Sequence, residues 1–449
     1  MEFIANLPLI GGLLSSLIGF VIVLGIVVFV HEYGHYIVGR WCGIHADTFS
    51  MGFGPVLKSW VDKRGTRWQI AALPLGGYVK FLGDADGASR TDHSALADMS
   101  VEDRTRSFPG AAIWKRSLTV AAGPFFNFFL SIAIFTGVIF SQGTALPDPI
   151  IGKIESHPGL PMELTTGDKV LTVNGEEVEV FGDIFNLVGA MPEPGPVEMV
   201  VERDGETLEL TLPYLAPPLV GDVRMFGAAA RAGLEDGDLI TAVDGQPIIS
   251  FFELQSAVTA SEGKTLTFEI LRGEEQIELA VTPKVEEDVN QADFSVEQRV
   301  MIGVSSGGLF LPTTETPTLW AAVGGGVGEV IRIIDSTFKG IQRMIEGVLS
   351  PKNLQGPVGI AQMSGDQVST GLIDAIYFIG VISTAIGLLN LFPIPVLDGG
   401  HLVMFGYEAL SGKPPAEKVM RVVMTFGLSM VLLLMVFATY NDLVRLFVS

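Results

Sequence analysis

Four stretches of this chain carry no Asp, Glu, Lys or Arg: Phe3 to Val30, Ser117 to Pro147, Ala375 to Leu397 and Val422 to Asn441. A helix rising about 1.5 Å per residue needs about 20 apolar residues to cross a bilayer. The pattern therefore predicts spans near 13–37, 118–140, 375–397 and 422–441. Four runs of this length are hard to place as buried core helices of a water-soluble protein. Shorter patterns fill the spaces between them. Trp68 to Leu73 and Tyr78 to Phe81 read as two short strands around Pro74-Leu75-Gly76-Gly77, a membrane-associated β-hairpin too short to span. The free N–H and C=O groups of its edge could pair with an extended peptide. The alternative is an ordinary surface hairpin. From Thr318 to Val348, Val330, Ile334, Phe338, Ile341, Ile345 and Val348 recur at helical steps, an amphipathic stripe.

The middle of the chain repeats itself. Thr166 to Gly175 aligns with Asp236 to Gly245, at an offset of 70 residues. Each copy predicts a turn, a buried strand, an Asn-Gly or Asp-Gly turn, a second strand and a short helix. The expected organisation is a first span at 1–40, a loop with the hairpin at 41–116 and a second span at 117–145. Two repeats follow at 146–214 and 215–283, then a linker and amphipathic helix at 284–370. Gly356 to Ala361 is expected as a turn into a third span at 371–405, followed by a short loop at 406–421 and a fourth span at 422–449.

Charge orients the spans. The loop from Arg40 to Arg116 holds 11 Lys/Arg against 8 Asp/Glu, whereas Ser141 to Gly371 holds 13 against 35. Basic loops stay on the cytoplasmic side. The acidic segment and both termini are expected outside, and the short loop with Lys413, Lys418 and Arg421 inside. Composition agrees with a membrane protein: 48% of the 449 residues are hydrophobic and 17% charged. The net charge of −22 argues against nucleic acid as a partner. With one cysteine, Cys42, no intrachain disulfide is possible.

The candidate chemistry sits at the end of the first span. His31-Glu32-Tyr33-Gly34-His35 is a His-Glu-x-x-His pattern. Residues four apart share one face of a helix, so both imidazoles can hold one metal ion, with Glu32 placed to handle the proton of a water beside it. Ionisable side chains are costly at membrane depth and read as functional there. A second centre is Asn390-Leu391-Phe392-Pro393-Ile394-Pro395-Val396-Leu397-Asp398-Gly399-Gly400-His401. Pro393 and Pro395 break the helix. Asp398 follows an apolar run with no basic neighbour. It is the carboxylate missing from a catalytic zinc pattern of two His and one carboxylate, in which the fourth position is left to water. His401 could ligate, but would close the site to water. Cys42 is a weaker third-ligand candidate. Asn390, inside the broken span, could hydrogen-bond a substrate backbone. Asn127 in the second span either packs helices together or orients an active-site group.

Two resemblances rest on these residues. Ala232 to Gly245, Ala-Gly-Leu-x-x-Gly-Asp-x-Ile-x-x-Val-Asp-Gly, resembles the PDZ family; the first copy departs from it by an insertion between Leu160 and Gly167. The His-Glu-x-x-His motif, the Gly52-Phe53-Gly54 turn, Ala122-Gly123-Pro124-Phe125-Phe126-Asn127 and the Asn390 to Gly400 motif together resemble the site-2 protease family of intramembrane zinc metalloproteases. The likeness is to its bacterial members in the envelope stress response. The fold implied is a polytopic α-helical membrane protein with four transmembrane helices, a membrane-associated β-hairpin and two tandem extracytoplasmic PDZ-like α+β domains. The resemblance implies that His31, His35 and Asp398 bind Zn2+ and that Glu32 is the catalytic base. It also implies that Trp68, Ile70, Ala71, Ala72, Tyr78, Asn390, Pro393 and Pro395 lie near substrate. The implied partners are membrane lipid and single-span membrane proteins, namely a pre-trimmed anti-sigma factor and remnant signal peptides. The implied location is a bacterial inner membrane, with the PDZ-like pair excluding untrimmed substrates by size. Two other classes stay open on the residues alone: a metal-ion transporter or channel with PDZ-like sensor domains, and a non-catalytic PDZ scaffold.

Overall fold

The computed structural model describes residues 11–84, 99–224, 227–289 and 296–447. They form two compact units, one drawn from 11–84, 99–138, 319–344 and 350–444, the other from 139–224, 227–289, 296–318, 345–349 and 445–447.

The first unit contains the apolar helices. Four among the described residues are long and apolar enough to cross a membrane: Ser16–Trp41, Ile113–Gln142, Leu372–Leu391 and Lys418–Arg445. The first reaches past the expected end at 37, because nothing breaks the helix before Gly43, which takes a left-handed φ of 82°. The third stops at Leu391, short of the expected 397. Pro393 and Pro395 cannot donate to a helical ladder, and the chain turns extended at Phe392 before a new helix, Asp398–Ser411, begins. The expected turn at 356–361 is instead the start of a helix, Pro357–Thr370, with Pro at its first position. Both oxygens of the buried Asp442 accept from the Gly356 amide, at 3.0 and 3.1 Å, and Oδ2 accepts from Gly359 at 2.8 Å, which caps that helix. Small residues let it lie on the first helix: a Cβ at Gly19 would meet the Ser364 carbonyl at 2.9 Å, and one at Gly365 would meet Ser16 Oγ at 2.3 Å. The amphipathic helix is present as Leu319–Ile345.

The expected hairpin has a different pairing. Strands Ala46–Val61 and Arg67–Phe81 double back on each other. Phe49 pairs with Val79 on one side and Trp68 on the other; Ile70 lies between Met51 and Lys58. Residues 46–51 thus separate the two runs that the sequence suggested were partners. Gly52 and Gly54, at φ 86° and 85°, make the reversal inside the first strand.

The second unit holds the two repeats. Each has a four-stranded antiparallel sheet. The first runs Glu176–Glu177, Lys169–Val173, Val197–Arg203, Glu206–Leu212; the second runs Gln246–Pro247, Leu239–Val243, Leu266–Arg272, Glu275–Val281. Helices Phe181–Gly189 and Phe251–Ala260 pack on them through Ile184 and Val188, and through Leu254 and Val258. Asn174-Gly175 and Asp244-Gly245 all take positive φ, the tight hairpin turns the sequence signals. Each repeat buries an aspartate against an arginine, Asp168 with Arg203 and Asp238 with Arg272. The stretch after 283 is more than a linker. Val304–Ser306 pairs with Val220–Val223 of the second repeat, and Phe310–Pro312 returns to Ile151–Ile154 of the first. The repeat boundaries at 214 and 283 therefore leave out a strand of each copy.

Candidate metal centre

The centre is built where the first helix, the second helix and the start of Asp398–Ser411 meet. His31 and His35 are one turn apart, with ring centroids separated by 4.8 Å. His31 Nε2 is 3.1 Å and His35 Nε2 is 3.4 Å from Asp398 Oδ2, and the two Nε2 atoms are 3.2 Å apart. Among the described residues, these three form the group able to hold a metal ion.

Protons decide what the cluster is. His35 Nδ1 lies 2.9 Å from the Thr119 carbonyl, which only accepts, so Nδ1 carries a proton, and in the neutral ring Nε2 is then a lone pair. Asp398 Oδ2 is buried with no hydrogen-bond donor. With the ring neutral, the state in which a histidine binds a metal, the 3.4 Å approach of His35 Nε2 is a meeting of lone pairs. Lone pairs converge in this way around a cation. Tetrahedral zinc with bonds of about 2.0–2.1 Å sets its ligand atoms about 3.3–3.4 Å apart. Separations of 3.1, 3.2 and 3.4 Å match such a triangle. The second helix leaves room for it: a Cβ at Gly123 would stand 2.3 Å from His35 Nε2 and 2.9 Å from His31 Cε1.

Glu32 stays outside the cluster. Its carboxylate accepts from the Val79 backbone amide, and its Cγ lies 3.0 Å from where a Cβ of Gly77 would be. A cavity of about 190 Å³ is lined by His31, Glu32, His35, Gly77, Tyr78, Val79, Asn390, Val396, Asp398 and His401, among others. Val396, a β-branched residue at φ 86°, stores strain of order 1–3 kcal/mol beside Asp398. A larger groove of about 260 Å³ lies along Phe251–Ala260 in the second unit, but among the described residues no cluster of metal-binding side chains accompanies it.

The structure brings together His31, Glu32, His35, Asp398, Tyr78 and Asn390; the Asn390 side-chain amide donates to the Ile386 carbonyl at 3.0 Å. Asn127 is fully buried, with its carboxamide 3.2 Å from His31 Nδ1. Trp68, Ile70, Ala71, Ala72, Pro393 and Pro395 do not line the cavity. Trp68 and Ile70 are paired on both sides within the sheet, so their backbones cannot accept another strand. Pro395 packs against Gly427 of the fourth helix, where a Cβ would sit 2.3 Å from its carbonyl oxygen. Cys42 is buried in an apolar cluster with Tyr36 and Ile44. Sequence reading passed over Thr119, whose role is carried by its backbone and so leaves no residue signature. It read Gly123 only as a packing residue.

The chain matches the profile described as peptidase family M50 over residues 19–434. A protein of Agrobacterium fabrum named as a candidate zinc metalloprotease is 37% identical over 436 residues, covering 96% of this chain and 97% of its own. A similarly named protein of Rhizobium meliloti is 36% identical over 430 residues, covering 95% and 96%. A PDZ domain solved from Listeria monocytogenes aligns with 21% of this chain and 90% of its own, at 21% identity and a TM-score of 0.17.

Proposed function

This chain belongs to peptidase family M50, the site-2 protease family of zinc metalloproteases, and on that premise we propose that it cuts single-span membrane proteins within the bilayer, with His31, His35 and Asp398 holding the zinc. The observation that carries this reading is the convergence of two imidazole nitrogens and an orphaned carboxylate oxygen within 3.4 Å.

When bound, zinc supplies Lewis acidity to a water and to a peptide carbonyl. Glu32 is the general base: it takes the water's proton and returns it to the leaving amine. The Val79 amide holds its carboxylate against the sheet, which keeps it beside the cluster without joining it. A substrate helix must unwind before its peptide bond can be reached, and each backbone group it frees is costly in lipid. A substrate strand runs along the edge at Gly77 to Val79, the part of the sheet that lines the cavity. Tyr78 and Asn390 flank it. This moves the substrate strand away from Trp68 and Ile70, whose partners are already taken.

The four apolar helices cross the bacterial inner membrane, with the cluster towards the cytoplasmic face and the acidic repeats outside. The repeats act as PDZ-like filters that admit substrates already trimmed outside the membrane, such as an anti-sigma factor or a remnant signal peptide. The test is Glu32→Gln in the purified full-length protein. Cleavage of a detergent-solubilised single-span substrate should be lost while zinc content stays at one per chain. Undiminished cleavage removes Glu32 from the chemistry. Loss of zinc as well makes it a ligand instead.

A further inference from the structure

We propose that Asn127 is the positioning residue of His31: its side-chain oxygen accepts the His31 Nδ1 proton and turns the His31 Nε2 lone pair towards Asp398. The proposal rests on the metal reading above and extends it to the second helix.

Asn127 is fully buried, and its carboxamide nitrogen lies 3.2 Å from His31 Nδ1, leaving Oδ1 with no donor. In that orientation the amide donates to Nδ1, the imidazole proton sits on Nε2, and that proton points into the cluster at Asp398 Oδ2. A histidine so protonated cannot ligate. Nitrogen and oxygen of a carboxamide have the same shape, and the hydrogen-bond network decides between them. Exchanging them sets Oδ1 against Nδ1–H and frees Nε2. The same arrangement is already unambiguous at His35, whose Nδ1 donates to the Thr119 carbonyl. Thr119, Gly123 and Asn127 follow at steps of four and share one face of the second helix. That face fixes His35 through a carbonyl, makes room at Gly123 and fixes His31 through an amide. Outer partners of this kind set the tautomer and direction of metal-binding histidines. Asn127 is itself held: its backbone carbonyl accepts from the Ser383 hydroxyl at 2.9 Å, and Gly387 leaves room beside its Cβ.

The experiment compares Asn127→Asp and Asn127→Leu in the full-length protein in detergent, measuring zinc affinity by competition with a chromophoric chelator and the cobalt d–d spectrum. Asp keeps the acceptor and Leu removes it. Zinc should bind Asn127→Leu about 10–100-fold more weakly than wild type, while Asn127→Asp stays close to wild type and keeps its cobalt spectrum. A residue that only packs reverses the order, since a buried carboxylate without a donor is worse tolerated than leucine. Zinc binding by Asn127→Leu equal to wild type, or tighter than by Asn127→Asp, overturns the proposal. Should Asn127→Leu not fold, Asn127→Ala replaces it with the same expected order. Wild-type protein that takes up no zinc overturns the metal reading first, and this proposal with it.

Discussion

Gly123→Ala separates a metal centre from a merely well-packed helix crossing. In a helix interior alanine is favoured over glycine by about 1 kcal/mol. On propensity alone the substitution in Ile113–Gln142 stabilises. The site opposes it. The added Cβ would stand 2.3 Å from His35 Nε2 and 2.5 Å from His35 Cε1, where carbon contacts prefer about 3.5–4.0 Å. The imidazole must retreat by about 1 Å, several times the ±0.2 Å that ligand distances tolerate. His35 is then lost as a ligand, and the zinc affinity should fall by more than the ~100-fold upper range of outer-partner changes. The assay is zinc stoichiometry by mass spectrometry with chelator competition. Size-exclusion elution and thermal unfolding in detergent show whether the fold is kept. The expected variant is folded, at least as helical as wild type, and zinc-poor. A Gly123→Ala protein that binds one zinc with unchanged affinity would refute the placement of the metal beside the second helix.

Two further expectations concern what holds the site and the repeats. Arg116 forks onto Glu408 at 2.8 and 3.1 Å and lies over the Phe405 ring at 5.0 Å, joining the second helix to the helix that opens with Asp398. Arg116→Lys keeps the charge but not the fork. It should lower hydrogen-exchange protection across 398–411 by about 1.5–3 kcal/mol, and unchanged protection would show the pair to be dispensable. In the first repeat, burial alone would raise the Asp168 carboxyl, but the Arg203 guanidinium and the Thr165 amide and hydroxyl hold it below the usual carboxylate range. A depressed carboxyl contributes stability that is complete above the unfolded value and lost as pH falls through the folded one. Protection of Lys169–Val173 should therefore decline below about pH 4. Asp168→Asn should cost about 1–3 kcal/mol at neutral pH and flatten that decline; an acid response as steep as wild type would place its origin elsewhere.

What the sequence disclosed depended on the range of the interactions. The span pattern and the four-residue step of His31 and His35 are local, and both are present in the structure. Asp398 was legible from over 360 residues away in sequence because a carboxylate after an apolar run needs a reason. Strand pairing was not legible. Residues 46–51 insert between 67–70 and 77–81, and nothing in period or turn residues distinguishes that order from a simple hairpin. Val304–Ser306 and Phe310–Pro312 close the two repeats from outside the repeated block, so self-similarity could not find them. Gly356-Pro357 looked like a turn because its helix is capped by Asp442, which lies far along the chain. Asn127 lay between two readings, since a buried amide packs and orients equally well until its neighbour is known to be His31.

The zinc K-edge absorption spectrum of the full-length protein, loaded with one equivalent of zinc in detergent, tests the ligand set most directly. Two imidazole nitrogens with oxygen completing the shell, at about 2.0–2.2 Å and without sulfur, is the expected result. A sulfur neighbour at about 2.3 Å would bring Cys42 into the site, and a spectrum with fewer than two imidazoles would contradict the pairing of His31 with His35.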